Sequence, residues 1–270
     1  MDSAYDLVVV GGGIAGGALA IVMARAGYSV LLLEETDAFQ DKVRGEWIAP
    51  WGVAEVQHLG LYNLLLSAGG HHLSRHTTYE ESRPPEAADA ASMPLDVFIP
   101  GVAGPLCLGH PLHCQTLFDE AGRTGATALR GVAVERLTFG PSPSVAYTHK
   151  GERRTARARL IVGADGRTSM VRDAARIVLH QDPPHHLFAG MLIEGAHGWD
   201  EGLQAIGTDD GFAFLAFPQG NGRVRLYGSY PLDRRGRFSG VSGQRDFLDA
   251  FVMGCAPANR YLAEGTPAGP

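Results

Sequence analysis

Three glycines in the segment Gly11-Gly12-Gly13-Ile14-Ala15-Gly16 have the spacing G-x-G-x-x-G. They stand between an apolar run, Tyr5 to Val10, and a stretch of small residues, Ile14 to Ala26. That spacing does chemistry when it joins a strand to a helix. Gly11 then permits a tight turn, Gly13 lets the backbone approach a pyrophosphate, and Gly16 lets the helix pack closely on the sheet. The helix start offers unsatisfied N–H groups and a partial positive charge to phosphates. About 20 residues on, Glu34 closes a second apolar run, where a carboxylate accepts hydrogen bonds from both hydroxyls of a ribose. Glu35, one place further round, is the substitute. A carboxylate at this point disfavours a 2′-phosphate, so NADP is not the expected ligand of this site.

Two further segments carry polar groups at turns. Arg44-Gly45-Glu46-Trp47 follows the second run and puts an arginine in a loop. Leu160 to Val162 is an apolar strand ending in Gly163-Ala164-Asp165-Gly166, with Ser169 placed to cap a helix through Met170, Val171 and Asp173. That turn presents an Asp and backbone amides to a polar ligand, or is a plain capped turn. Other chemistries lack their residues. No Ser-His-Asp or H-E-x-x-H spacing is found, and no carboxylate pair suggests acid–base work. His71–His72 and His185–His186 are adjacent pairs, which point apart on one element, so no metal site is expected. Cys107, Cys114 and Cys255 show no C-x-x-C spacing. The basic run Arg153, Arg154, Arg157 and Arg159 reads as a solvated strand face. Phe212, Phe214, Phe217, Tyr227 and Tyr230 read as core, while Trp47 and Trp51 are candidates for lining a cleft.

The elements that must position these groups follow from periodicity. Tyr5–Val10, the helix from Ile14 closed by Gly27, and Ser29–Leu33 make a βαβ unit. Helices are expected over Trp51–Leu59, Leu61–Ala68 and His113–Thr124, and a flexible excursion over Glu80–Ala103. Strands are expected over Ala126–Arg130, Val132–Phe139, Ser144–His149 and Arg153–Ala158. From His186 the texture changes to Leu187–Ile193, Phe212–Phe217 and Arg223–Tyr230, strands of an antiparallel sheet, with a short helix over Phe247–Met253. The expected fold is α/β: a discontinuous Rossmann-like nucleotide-binding domain, residues 1–75 and 105–180, with an inserted antiparallel β-sheet substrate domain, residues 76–104 and 181–270.

Composition supports a globular chain. Its 270 residues include 36 Gly without a G-X-Y period, and 45% are hydrophobic, which fits neither collagen nor disorder. A net charge of −6 argues against nucleic acid as a bulk partner. The acidic start runs straight into a strand, and the longest apolar stretch, Ile14 to Ala26, is too short to span a bilayer. A cytoplasmic location without stable membrane insertion is expected.

The fingerprint at Gly11–Gly16, the strand-end Glu34, the Arg44-Gly45 loop and the Gly163-Ala164-Asp165-Gly166 turn, in this order, resemble the FAD-dependent monooxygenases of the para-hydroxybenzoate hydroxylase type, the group A flavoprotein hydroxylases. The resemblance runs from Tyr5 onward. It implies FAD, with Gly11, Gly13, Ile14, Ala15 and Gly16 at the pyrophosphate and Glu34 or Glu35 at the ribose. It implies Arg44 and Gly45 beside the flavin and pyridine nucleotide, with Arg44 as the catalytic candidate, and Asp165-Gly166 closing over the pyrophosphate. NADH or NADPH would be the reductant. O₂ and an aromatic or unsaturated small molecule would be the other partners, with hydroxylation or epoxidation through a flavin hydroperoxide. Rival readings keep the fold for a prenyl-chain reductase or a halogenase, or make the chain a truncated, non-catalytic nucleotide-binding paralogue. The family's later Gly-Asp motif has no counterpart here, so a final strand and C-terminal helices are expected beyond Pro270.

Overall fold

The computed structural model describes residues 3–41 and 46–270; Arg44 and Gly45 lie outside the described residues. The chain forms two compact units, 1–40 with 111–181, and 41–110 with 182–270. The sequence-expected borders at 75/76 and 104/105 therefore fall inside the second unit. Pairing explains the difference. Trp47–Ile48, Leu106–Cys107 and His71–His72 form a small sheet of their own, and Arg75–Glu80 joins the large sheet of the second unit.

The first unit is built on a six-stranded sheet in the spatial order Thr127–Leu129, Val30–Leu33, Ser3–Val10, Glu152–Gly163, Ser144–His149, Val132–Thr138. The first four run parallel, and the last three form an antiparallel meander. Val8, Val9, Leu31 and Leu32 are wholly buried, as the unbroken apolar runs require of strands covered on both faces. Arg153–Ala158 and Leu160–Val162 belong to one strand, Glu152–Gly163. Its second half lies parallel to Ser3–Val10 and its first half antiparallel to Ser144–His149. Helix Ile14–Arg25 lies close to helix His110–Arg123, because a Cβ on Gly17 would lie 2.9 Å from Leu117 Cβ. Gly27 takes φ +85° after that helix and ends it.

The second unit holds a seven-stranded sheet in the order Thr266–Gly269, His186–Glu194, Arg223–Pro231, Phe212–Gly220, Leu203–Asp209, Arg75–Glu80, Met93–Pro94. Leu203–Asp209 and Arg75–Glu80 pair parallel, and the other pairs are antiparallel. Leu203–Asp209 is a strand that periodicity did not signal, because Gly207 interrupts its apolar alternation. The glycine is needed there, since a Cβ would lie 2.9 Å from the Tyr79 carbonyl. The expected excursion over 80–103 contains the helix Pro85–Ala90 and the strand Met93–Pro94. Phe212, Phe214, Phe247 and Phe251 form the aromatic centre of the core, packed mostly edge to face.

A buried ion cluster sits inside this unit. Arg225, 1% exposed, donates from Nε to Glu46 Oε2 at 2.5 Å, and from Nη2 to Glu46 Oε1 at 2.8 Å. Nη2 also meets both Asp41 oxygens at 2.8 Å, and Nη1 donates to the Pro270 oxygen. Gln219 Nε2 adds a third donor to Glu46 at 3.0 Å. Burial pushes the Glu46 carboxyl above the usual glutamate range, against the attraction of Arg225 and with the repulsion of Asp41. The two carboxylates hold the Arg225 guanidinium above its ordinary value, although burial opposes them. Among the described residues, no helix is long and apolar enough to cross a membrane.

Candidate nucleotide site

The glycine turn lies at the carboxyl end of Ser3–Val10, the end at which parallel sheets take their ligands. Gly11 has φ +103°, and its N–H donates to Leu33 O at 2.8 Å. The Ala164 N–H donates to Val10 O at 2.7 Å, which brings the Gly163–Gly166 turn against Gly11. A Cβ on Gly11 would overlap the Ala164 carbonyl, and one on Gly16 would overlap the carbonyl of Gly11 itself. Both glycines are therefore dictated by backbone meeting backbone.

Gly13 differs. A Cβ there would meet nothing within 4 Å, so open space lies before the helix start. Gly13 is the N-cap of Ile14–Arg25, and no side chain caps that end. The first amides of a helix have no partners within it, so the N–H groups around Ile14, Ala15 and Gly16 look outward with the positive end of the helix dipole behind them. The arrangement fits a diphosphate, such as the pyrophosphate of FAD.

Glu34 is buried beside the turn. Its Oε2 accepts from the Gly12 N–H at 2.7 Å, and Oε1 accepts from the Thr36 N–H at 2.9 Å and Thr36 Oγ1 at 2.7 Å. The carboxylate thus ties the glycine turn to the end of the second strand. An ionised carboxylate has about four acceptor positions, so Oε2 keeps capacity for a further donor. Glu35 is exposed. Gly12 is confined on its other side, where a Cβ would lie 2.9 Å from the Phe118 ring.

Asp165 is bonded into the start of the helix that follows it. Its Oδ1 accepts from Ser169 Oγ at 2.5 Å and its Oδ2 from the Val171 N–H at 3.1 Å. Ser169 Oγ in turn accepts from the Arg172 N–H at 3.0 Å. The side chain caps the short helix Met170–Ala174, and the backbone before it faces Gly11. Gly166 has φ +81° with open space around it. Replacing Ser169 by alanine is expected to cost about 1 kcal/mol through loss of the cap, read from the urea midpoint. Binding of ADP at the glycine turn should stay unchanged in that variant.

The sequence reading passed over Phe118, Phe39 and Arg130. For Phe118 the sequence offers only its place in the helix expected over His113–Thr124. Arg130 was read as a strand end, and nothing marked Phe39. The structure brings the three together, with the Arg130 Cζ 4.3 Å from each ring centroid.

Residues 4–234 match the FAD binding domain family. A relative, 6-methylpretetramide 4-monooxygenase of Streptomyces rimosus, is 33% identical over 184 residues, 65% of this chain and 42% of its own. Squalene epoxidase 2, mitochondrial, of Arabidopsis thaliana is 27% identical over 180 residues, 64% of this chain and 29% of its own. The chain thus spans less than half the length of these curated relatives. Among solved structures, PqsL, a probable FAD-dependent monooxygenase from Pseudomonas aeruginosa, superposes with a TM-score of 0.78 at 20% identity, over 99% of this chain and 74% of its own. The p-nitrophenol 4-monooxygenase PnpA from Pseudomonas putida DLL-E4 gives 0.78 at 17% identity, over 96% and 65%. With its parallel sheet, glycine turn and uncapped helix start, the chain belongs to the FAD binding domain family.

Proposed function

We propose that the chain carries the nucleotide-binding machinery of an FAD-dependent monooxygenase. In this reading it uses NADH or NADPH and O₂ to hydroxylate or epoxidise an aromatic or otherwise unsaturated small molecule. The observation that carries the reading is the uncapped start of helix Ile14–Arg25, with open space at Gly13. The named relatives support it, being by name a monooxygenase and an epoxidase.

FAD, when bound, supplies the electron transfer and oxygen chemistry that no side chain can provide. The residues of the chain bind and orient. Amides at Gly13, Ile14, Ala15 and Gly16 hold the diphosphate, and Glu34 uses its remaining acceptor capacity on the ribose hydroxyls. The Ala164 N–H, donating to Val10 O, holds the Ala164–Gly166 turn against Gly11, so that its backbone borders the same space. Arg44, with Gly45, is assigned to the flavin and nicotinamide on the resemblance to the family alone.

The test has two steps. Titration of the purified protein with FAD, followed by flavin fluorescence, is expected to show saturable quenching. Absence of any quenching would remove the flavoprotein reading. NAD(P)H consumption and oxygen uptake are then measured with candidate aromatic and polyene compounds, and the product is weighed. Gain of one oxygen atom supports monooxygenation; gain of two hydrogens or of a halogen would replace it by the reductase or halogenase reading.

A further inference from the structure

Arg234, Arg235 and Arg237 fall within four residues of the segment that follows strand Arg223–Pro231. Among the described residues, none of the three pairs with a carboxylate. Their neighbours in sequence do: Arg223 meets Glu194 at 3.3 Å, and Arg245 meets Asp249. Phe238 anchors the segment. Its ring lies 5.0 Å from Tyr230, 5.2 Å from Phe247 and 5.8 Å from Phe212, each edge to face. The half-buried Arg237 has its guanidinium carbon 5.0 Å from the Phe212 ring centroid and 5.2 Å from that of Phe238. The rings account for the flat faces of this cation. They do not account for its edge, since no N–H of the guanidinium has an acceptor among the described residues and Nη1 is shielded from solvent. Buried donors are nearly always paired. A methionine would pack against the same two rings and leave no donor unmet.

Arg237 borders a surface cavity of about 440 Å³, lined also by Asp233, Arg234 and Gly236. Arg234 donates from Nη1 to the Asp210 carbonyl at 3.4 Å, which ties it to the turn between Leu203–Asp209 and Phe212–Gly220. The amides of Arg235 and Arg237 are taken by Leu232 O and Arg234 O, whereas the Gly236 N–H has no acceptor among the described residues. A Cβ on Gly236 would meet only Ser239 Oγ, at 3.7 Å, so its backbone stays open. Two guanidinium groups against the one carboxylate of Asp233 leave this wall with a net positive charge. A guanidinium presents a planar fork of N–H groups that matches the oxygens of a phosphate, and charge-assisted bonds of this kind are the strong ones. The volume is that of a small-molecule site, larger than a free phosphate ion requires.

We infer that Arg237, Arg234 and the Gly236 N–H form a binding site for the phosphate group of a small phosphate ester, with Asp233 as the like charge that limits its affinity. The site lies in the second unit, which holds none of the glycine-turn residues, and is independent of the proposed flavin-binding function.

Calorimetric titration of the full chain with inorganic phosphate, phenyl phosphate and acetate at constant ionic strength tests it, with melting temperatures measured alongside. Arg237→Met is expected to weaken both phosphates about tenfold, and Arg234→Gln about threefold. Asp233→Asn is expected to tighten them about threefold, an opposite sign that a purely structural role would not produce. Acetate, with one charge and two oxygens, should bind more weakly than either phosphate. The glycine turn is intact in every variant, so phosphate taken up there is common to all and cancels in the comparison. Unchanged phosphate affinity in the folded Arg237→Met and Arg234→Gln proteins would overturn the inference, as would acetate binding as tightly as phosphate. Binding to phosphatidylglycerol vesicles, lost in both arginine variants, by a protein that takes up neither soluble phosphate would overturn it in favour of a membrane contact. Should Arg237→Met fail to fold, the variants at the exposed Arg234 and Asp233 decide by the same criteria.

Discussion

Substituting Gly16 with valine abolishes FAD binding and destabilises the first unit by about 3 kcal/mol or more, at the upper end of what overpacking costs. The expectation follows from what surrounds the position. Any Cβ at residue 16 overlaps the Gly11 carbonyl oxygen, lies 3.0 Å from the Gly11 carbonyl carbon and 3.3 Å from Ala164 Cβ. All three neighbours are backbone or a methyl group on backbone, so no flexible side chain can swing aside. Relief requires the helix to lift from the turn, which moves the amides that face the diphosphate. Gly13→Ala provides the contrast. Its Cβ meets nothing within 4 Å, so stability should stay within about 1 kcal/mol of wild type. FAD affinity should nonetheless fall, because the methyl enters the space assigned to the diphosphate. Urea denaturation and flavin fluorescence read on the same samples separate the two effects. A Gly16→Val protein as stable as wild type would refute the assignment of close packing at this glycine.

Arg225→Met is expected to lower the stability of the second unit by about 3–5 kcal/mol, the usual consequence of removing one partner from a buried ion cluster. The methionine fills comparable volume, so the loss reports Glu46 and Asp41 left without their cation rather than a cavity. The pH dependence has a definite sign. Burial holds the Glu46 carboxyl above its ordinary range in the folded protein, so the folded state keeps that proton to higher pH than the unfolded chain does. The contribution of this group to stability is therefore present at low pH and is lost as pH rises from the ordinary glutamate range through the raised value. Glu46→Gln, which cannot titrate, is expected to remove that part of the slope. In Arg225→Met the deficit should shrink on acidification, because protonation relieves the buried Glu46 carboxylate. A deficit that does not vary with pH would show that Arg225 acts through packing alone. Urea midpoints across the acid-to-neutral range make the measurement.

The contrast between these two sites shows what the sequence could express. The glycine turn was legible because its requirements are local. Gly11, Gly16 and Glu34 lie within one βαβ unit, and each answers to a backbone or strand-end condition that spacing alone encodes. Asp165 was legible as a polar turn residue, while the bonds of its two oxygens to Ser169 and the Val171 N–H depend on where the side chain points. Arg225 looked like any arginine on an alternating strand. Its partners Glu46 and Asp41 are 179 and 184 positions away, and no periodicity connects them. Phe39, Phe118 and Arg130 come from three elements and were invisible for the same reason. The division into compact units at 40/41 and 110/111 leaves little trace in the sequence, because two-residue strands such as Trp47–Ile48 and His71–His72 leave no pattern to count.

The pairing of Ser3–Val10 with Glu152–Gly163 has a consequence for the order of events during synthesis. The two strands lie far apart in the chain, as the contact between Asp6 and Arg159 across 153 positions shows. Closing so long a loop carries an entropic cost that must be met before the contact itself contributes, and such pairings form late. The glycine turn leaves the ribosome well before the distant strand, yet its second wall, the Ala164 carbonyl against Gly11, arrives only when that strand docks. The helix start can fold early and alone, whereas the finished cradle is among the last features to appear. A ligand that binds only the finished cradle then draws the slow docking step toward completion by mass action. The supply of cofactor during translation would accordingly govern how much of the chain matures, well before any turnover takes place.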